Sequence, residues 1–192
     1  MITISREYGA GGTTIRKAVA ERLGIDFLDK EIILTTAYEA QVNLKSVYQL
    51  DDLAPSGGFF QQGLMDFYNK PLNIKLFEAQ SEVIKMFAER GNCLIVGRNA
   101  NSVLRDFDNT LHVFLCGNID FRRHRMMSKE MFDGIPEAKM TDLINTVDKR
   151  RQKYCENYTH TKFGDANCYD ISLDVSRIGI DRCIDIICEL AK

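Results

Sequence analysis

Residues 1–23 read MITISREYGAGGTTIRKAVAERL, and they decide how the chain begins to fold. Residues 2–4 form a short β-branched run, which is typical of a strand buried in a sheet. Ile15, Val19 and Leu23 recur at helical spacing after a glycine-rich segment. We therefore expect a strand, a glycine-rich loop and a helix in direct succession.

The glycine-rich segment lies where a phosphate-binding loop would lie, between the first strand and the first helix. Glycines let backbone N–H groups approach phosphate oxygens, and the helix N-terminus adds partial positive charge. The Walker pattern G-x-x-x-x-G-K-[ST] would span residues 6–13, where Arg6 stands at the first glycine and Gly12 at the lysine. A glycine-rich turn without a ligand is the alternative interpretation. A dinucleotide fingerprint that starts at Gly9 fails because Thr14 occupies its last glycine position.

The loop supplies the predicted cofactor-binding residues. They are Gly9, Ala10, Gly11, Gly12, Thr13 and Thr14. A threonine hydroxyl after the loop is the usual protein ligand for Mg²⁺ in such a site, and we assign that role to Thr13, with Thr14 as the alternative.

The remaining periodicity predicts an α/β fold of the P-loop NTPase type, with helices on both faces of a parallel sheet. Apolar runs over residues 93–96 and 111–115 indicate buried strands, and residues 169–173 indicate a last one. Helical patterns cover 74–90, 119–129, 138–158 and 176–190, the last N-capped by Ser176. Residues 42–70 have a looser pattern and predict a helical insert within a single domain spanning 1–192.

Composition excludes several classes of protein. A net charge of -2 gives no overall attraction to nucleic acid. The apolar runs are far shorter than the roughly 20 residues that span a bilayer, and no signal peptide is visible, so we expect a cytoplasmic protein without a membrane partner. The six cysteines contain no C-x-x-C pair, which argues against a zinc site and suits a reducing compartment.

Three segments, in the same order, resemble bacterial cytidylate kinases. Residues 2–23 are similar to the opening strand, loop and helix of that family; residues 95–126 resemble its Gly-Arg-Asp motif, next strand and start of the lid; residues 148–151 (DKRR) resemble the D-x-x-R of the lid. The chain is identified as a divergent member of the cytidylate kinase-like group. The resemblance implies a five-stranded parallel sheet, a nucleoside monophosphate-binding insert at about 42–70, and a lid at about 118–160 that closes over ATP.

The sequence departs from the family at positions that matter for the substrate. Lys30, Glu31 and Thr35 replace the serine, glycine and arginine of D-S-G-x-x-x-R, which leaves only Asp29. Asn99 replaces the aspartate after Gly-Arg. Cytidine specificity therefore does not carry over from the resemblance.

Charged residues complete the set of site predictions. Arg6, Arg123 and Arg151 are the predicted catalytic residues, because phosphoryl transfer is accelerated mainly by positive charge on the transferring oxygens. Asp29, Arg98 and Asp148 are the predicted substrate-binding residues. An ordinary surface ion pair is the alternative for Arg98, and an i,i+3 pair on an exposed helix is the alternative for Asp148 with Arg151.

Three functions remain open from the sequence. The first is ATP- and Mg²⁺-dependent phosphoryl transfer to a nucleoside monophosphate such as CMP or to another small phosphate acceptor. The second is a non-catalytic nucleotide-binding or sensor protein, because the loop lysine is absent. The third is a small-molecule kinase with a non-nucleotide acceptor, because contacts at Thr35 and Asn99 have changed.

Overall fold

The computed structural model of the chain describes residues 1–29, 32, 33, 35, 36 and 71–191. The predicted insert at 42–70 lies outside these residues. Five strands form one sheet: β1 (Ile2–Arg6), β2 (Asp26–Leu28), β3 (Cys93–Val96), β4 (Leu111–Cys116) and β5 (Ile171–Asp174). Their order is β2-β3-β1-β4-β5, and every neighbouring pair is parallel. The predicted α/β fold with a parallel sheet is confirmed.

Helices connect the strands and cover the sheet. They are α1 (Gly12–Leu23), α2 (Leu72–Arg90), α3 (Ala100–Val103), α4 (Ile119–Met127), α5 (Glu137–Thr159), α6 (Val175–Ile178) and α7 (Ile180–Leu190), with 3₁₀ turns at Glu130–Phe132 and Ala166–Cys168. None of the helices within the described ranges is long and apolar enough to cross a membrane.

Alternating strand residues build a separate core on each face of the sheet. Ile4 packs in one core with α1 and α7, whereas Ile95 packs in the other with α2 and α3. Successive side chains of a strand point to opposite faces, so a continuous apolar run supplies both cores at once. The runs that predicted buried strands are therefore apolar throughout.

The C-terminal helix differs from the prediction. Ser176 does not cap one continuous helix; Asp174 caps the short α6 instead, accepting a hydrogen bond from the Ser176 backbone N–H at 3.0 Å. Gly179, at φ 85°, then interrupts the helical conformation before α7 begins at Ile180. The helical periodicity continues across the break because α6 and α7 both pack on the same core.

The carboxyl ends of β1, β3 and β4 meet at one edge of the sheet. The register pairs Ile4 with Val96 on one side and Arg6 with Leu115 on the other. The glycine-rich loop therefore emerges beside the turn that starts at Gly97 and beside α4. Open parallel sheets bind their ligands at this edge.

Candidate active site

The glycine-rich loop packs tightly between α4 and the sheet. Gly9 and Gly11 have φ values of 85° and 91°, which side chains rarely adopt. A Cβ at Gly9 would lie 3.0 Å from the backbone oxygen of Arg122. Ala10 is fully buried, and its N–H bonds to the Glu7 carbonyl at 3.3 Å. Glycine at positions 9 and 11 is therefore required by the conformation of the loop, whatever ligand it binds.

Arg6 crosses from this loop to the neighbouring turn. A Cβ at Gly12 would lie 2.9 Å from the Cγ of Arg6, and a Cβ at Gly97 would collide with its Nη1. The side chain thus lies over both glycines, with its stem at the first and its guanidinium at the second. The space in which a lysine at position 12 would begin is occupied by Arg6.

The Arg6 guanidinium has no ion pair with any carboxylate of the described residues. Burial, as the largest cause, and the nearby charges of Arg151, Arg16 and Arg98 together lower its pKa from 12.5 to about 9. The side chain is still cationic at neutral pH. An isolated positive charge that is held away from water is costly, and an anion beside it would relieve that cost.

Gly97, Arg98 and Asn99 form the turn after β3, and all three have positive φ values, of 76°, 58° and 54°. Left-handed backbone at two successive non-glycine residues is strained. The Arg98 guanidinium lies 4.9 Å from the ring centroid of Tyr154 and donates to Gln80 Oε1 at 3.3 Å. The surface ion pair that was the alternative for Arg98 is not formed with any described residue.

Asp148 of α5 connects the helical hairpin of α4 and α5 to the loop. Its Oδ1 accepts from the Tyr8 N–H at 2.7 Å, and its Oδ2 accepts from Arg122 Nη1 at 2.5 Å. Arg122 also lies 3.6 Å from Glu7, whose carboxylate accepts from the Gly117 N–H at 3.0 Å. Both oxygens of Asp148 are thus engaged inside the protein, and its predicted contact with a substrate stays a prediction.

Arg151, one turn further along α5, reaches the start of the loop. Its Nη1 donates to the Arg6 carbonyl at 2.7 Å, and its guanidinium lies 5.5 Å from the Tyr8 ring centroid. Asp148 is 3.8 Å away, a longer separation than that of Asp148 from Arg122. Burial lowers the pKa of Arg151, and Asp148 partly opposes that shift.

The structure does not bring Arg123 to the loop. Arg123 pairs with Asp120 at 2.8 Å and with Glu137 at 3.5 Å on the outer side of the hairpin. Arg125 faces the loop instead, and its Nη2 donates to the Thr14 hydroxyl at 2.6 Å. Because α4 turns about 100° per residue, neighbouring arginines point in different directions. The catalytic role of Arg123 stays a prediction, and Arg125 is the arginine nearer the loop.

Two cavities lie on either side of Arg6 and Arg151. The loop cavity, of about 120 Å³, is bounded by the glycine-rich loop and by Arg125, Met126 and Lys129. The turn cavity, of about 430 Å³, is bounded by the Gly97–Asn99 turn and by α5. Arg6 and Arg151 line both cavities, and Arg98 and Arg150 add two more arginines to the second. No carboxylate lines the turn cavity among the described residues, so its walls favour an anion.

Thr13 and Asp29 take different positions relative to these cavities. Thr13 is exposed at the start of α1 and lines the loop cavity, while the hydroxyl of Thr14 is already bonded to Arg125. The Thr13 hydroxyl therefore fits the predicted Mg²⁺ ligand. Asp29 follows β2 and pairs with Arg16 at 3.5 Å, outside the linings of both cavities.

Sequence reasoning missed four residues that shape the site: Gln80, Arg122, Arg125 and Tyr154. A polar residue among the buried positions of an amphipathic helix was the available signal for Gln80, and none of the motifs pointed to it. Three arginines lie close together in α4, at 122, 123 and 125, and sequence spacing alone does not say which of them faces the loop.

Comparison with known proteins points in one direction. Residues 1–177 match the family model described as the cytidylate kinase-like family. No curated protein is significantly similar in sequence.

Solved structures agree at the level of the fold. An uncharacterized protein from Eubacterium ventriosum is 28% identical, with a TM-score of 0.76 over 99% of this chain and 96% of that one. A shikimate kinase from Bacteroides thetaiotaomicron is 17% identical, with a TM-score of 0.52 over 98% and 96%. A gluconokinase from Sinorhizobium meliloti is 12% identical, with a TM-score of 0.50 over 99% and 92%. At these identities the two kinases show the fold alone.

Proposed function

Since the chain belongs to the cytidylate kinase-like family, we propose that it is an ATP-dependent kinase that phosphorylates a nucleoside monophosphate such as CMP. The observation that carries the proposal is the position of Arg6. This cation without a carboxylate partner among the described residues lies between two cavities, one bounded by a phosphate-type loop and the other by arginines.

In the proposed reaction an oxygen of the acceptor phosphate forms a bond to the γ-phosphorus of ATP. The bond from that phosphorus to the β-γ bridging oxygen breaks, and ADP leaves. Arg6 and Arg151 line both cavities, which supports a role in which their charges would stabilise the oxygens of the transferring group in the transition state. Thr13 would hold Mg²⁺, which would supply further positive charge to the phosphate chain. Backbone N–H groups of the loop would position the phosphate chain.

Arg6 replaces the absent loop lysine in this proposal. A lysine at position 12 would extend from the loop itself, whereas the stem of Arg6 passes over Gly12 and its guanidinium lies at Gly97; in the proposal the arginine charge acts on the same phosphate oxygens from there. Its planar fork can contact two oxygens at once, which a lysine cannot do. The competing function, a nucleotide sensor without turnover, has in its favour only the absent lysine.

We place the reaction in the cytoplasm because all six cysteines are free thiols and four of them are buried. Such thiols persist in a reducing compartment.

Nucleotide binding is tested by titration calorimetry with ATP and Mg²⁺, followed by a turnover assay with CMP, UMP, AMP and GMP. We expect ATP to bind below the millimolar range, and Gly11→Ala to abolish binding because the added Cβ strains the loop at φ 91°. Gly24→Ala is the matched control, since Gly24 also has a positive φ but no heavy atom lies within 4 Å of the new Cβ. Absence of affinity for any nucleoside di- or triphosphate would remove the kinase and the sensor together. Affinity without turnover would favour the sensor.

A further inference from the structure

Gln80 is a buried amide on the side of α2 that packs against the sheet. The side chain is 2% exposed, and the next buried positions on that side are Val83 and Ile84. Burying an amide in such a setting is costly unless it is hydrogen-bonded. Its Oε1 accepts from Arg98 Nη1 at 3.3 Å and lies 3.4 Å from the Tyr154 hydroxyl, which also donates to it. The amide oxygen thus joins the turn after β3 to helix α5.

Every described group that holds the Arg98 guanidinium is electrically neutral. The Gln80 oxygen lies on one side of it and the face of the Tyr154 ring lies 4.9 Å away. A carboxylate in either place would orient the arginine equally well, but it would also cancel its charge. A neutral amide fixes the direction of the side chain and leaves the full positive charge for the turn cavity.

Tyr154 also fastens the strained backbone of this turn. Its carbonyl accepts from Asn99 Nδ2 at 3.4 Å, while its hydroxyl donates to Gln80. Strained backbone persists only where the surrounding structure holds it. The contacts of Gln80 and Tyr154 therefore act on the same three-residue turn from two helices.

We infer that Gln80 is a positioning residue, which aims Arg98 at an anionic acceptor in the turn cavity without neutralising it. The inference rests on the proposed function for the identity of the acceptor. It extends that function to a residue outside the loop and the lid, and it predicts that amide and carboxylate are not interchangeable at position 80.

Gln80→Glu and Gln80→Met separate the two parts of this role. The first keeps the shape and the acceptor oxygen but adds a charge, and the second keeps the length but removes the acceptor. We expect Gln80→Glu to raise the Kd for CMP and for inorganic phosphate by about tenfold, because the new carboxylate would compete with the anion for Arg98. Gln80→Met should raise both by about threefold, since Arg98 would lose its orientation and keep its charge. The Kd for ATP should stay within about twofold of wild type.

The double variant Arg98→Ala/Gln80→Glu tests whether the effect passes through Arg98. We expect Gln80→Glu to change the Kd by less than about twofold when Arg98 is absent. Circular dichroism and thermal unfolding report whether each variant is folded. Should Gln80→Glu fail to fold, Gln80→Met and Tyr154→Phe carry the test; Tyr154→Phe keeps the ring under Arg98 and removes only the hydroxyl, so its effect should be smaller than that of Gln80→Met.

The outcomes distinguish this inference from the proposed function. A Kd for CMP and phosphate that is unchanged in Gln80→Glu, or an equal rise in the absence of Arg98, overturns the role of Gln80. A wild-type protein that binds ATP but neither CMP nor phosphate also overturns the role of Gln80. Binding of CMP and ATP without phosphoryl transfer removes the kinase, and the Kd values still decide the role of Gln80. A wild-type protein that binds none of these ligands overturns both.

Discussion

Arg6 is the residue on which the electrostatics of the site depend. The residue is partly buried, and the charges of three nearby arginines help to lower its pKa. None of the described carboxylates pairs with it. In the proposed function, the isolation that makes the side chain costly in the free protein would also let it bind a phosphate chain. Sites of this kind commonly trade stability for function.

Arg6→Met should therefore stabilise the folded protein and impair its activity. The methionine keeps an unbranched stem over Gly12 and removes the charge. We expect the free energy of unfolding at pH 7 to rise by about 1–3 kcal/mol, the scale of the cost of desolvating a polar group without a partner. Because the pKa of Arg6 in the folded protein is about 9, both states are protonated at pH 7 and the penalty is fully present.

Urea unfolding measures this difference, and its dependence on pH checks the cause. As pH rises above about 9, the folded protein loses the proton first, so the advantage of Arg6→Met should narrow. Arg182→Met, at an exposed position on α7, is the control and should change stability by less than about 0.5 kcal/mol. A destabilised Arg6→Met protein would mean that Arg6 is a structural residue.

The orientation of helix α4 determines which of its arginines lies beside the glycine-rich loop. Arg125 bonds to Thr14 beside the loop cavity, whereas Arg123 pairs with two carboxylates on the outer side. We expect Arg125→Ala to raise the KM for ATP by about tenfold, the scale of one lost charge-assisted hydrogen bond, and Arg123→Ala to change it by less than about twofold. Steady-state kinetics with varied ATP checks both values. The reverse order would restore the catalytic role that the sequence suggested for Arg123.

Helix α5 is fastened to the loop through Asp148. Asp148→Asn leaves the buried Arg122 without its closest carboxylate. The new NH₂ group would also point at a donor, either the Tyr8 N–H or the Arg122 guanidinium. Breaking one partner of a buried pair is strongly destabilising, so we expect a loss of about 3 kcal/mol in the free energy of unfolding. The measurement is urea unfolding, with Asp142→Asn on the exposed side of α5 as the control. A loss of CMP affinity without a loss of stability would show instead that Asp148 contacts the substrate.

The elements were largely predictable from the sequence, and the contacts between them were not. Apolar runs such as 93–96 predicted buried strands because both faces of the sheet are covered. The break at Gly179 was missed, since α6 and α7 follow one apolar periodicity. The loop was recognised from its glycines, whereas the path of Arg6 to Gly97 depends on a strand 90 residues away that happens to be the neighbour of β1.

At the scale of the whole molecule, three distant parts of the chain each contribute an arginine to the lining of the turn cavity. The first strand gives Arg6, the turn after β3 gives Arg98, and α5 gives Arg151. None of these residues is near another in sequence, and the parallel sheet brings them together at its carboxyl edge. In the proposed function, the charge that a P-loop kinase obtains from one lysine would be distributed over several elements of this protein.

The most direct test of the role of Arg6 moves the positive charge from position 6 to position 12. Since Arg6 occupies the space beside Gly12, Gly12→Lys alone should impair activity. Arg6→Ala alone should lower the single-turnover rate with ATP and CMP by about 10²- to 10³-fold, because a charge on the transferring group is lost. In the double variant Arg6→Ala/Gly12→Lys, the vacated space accepts the lysine stem, and we predict recovery of at least about tenfold over Arg6→Ala. A single-turnover rate in Arg6→Ala equal to that of wild type would contradict the claim that Arg6 replaces the loop lysine.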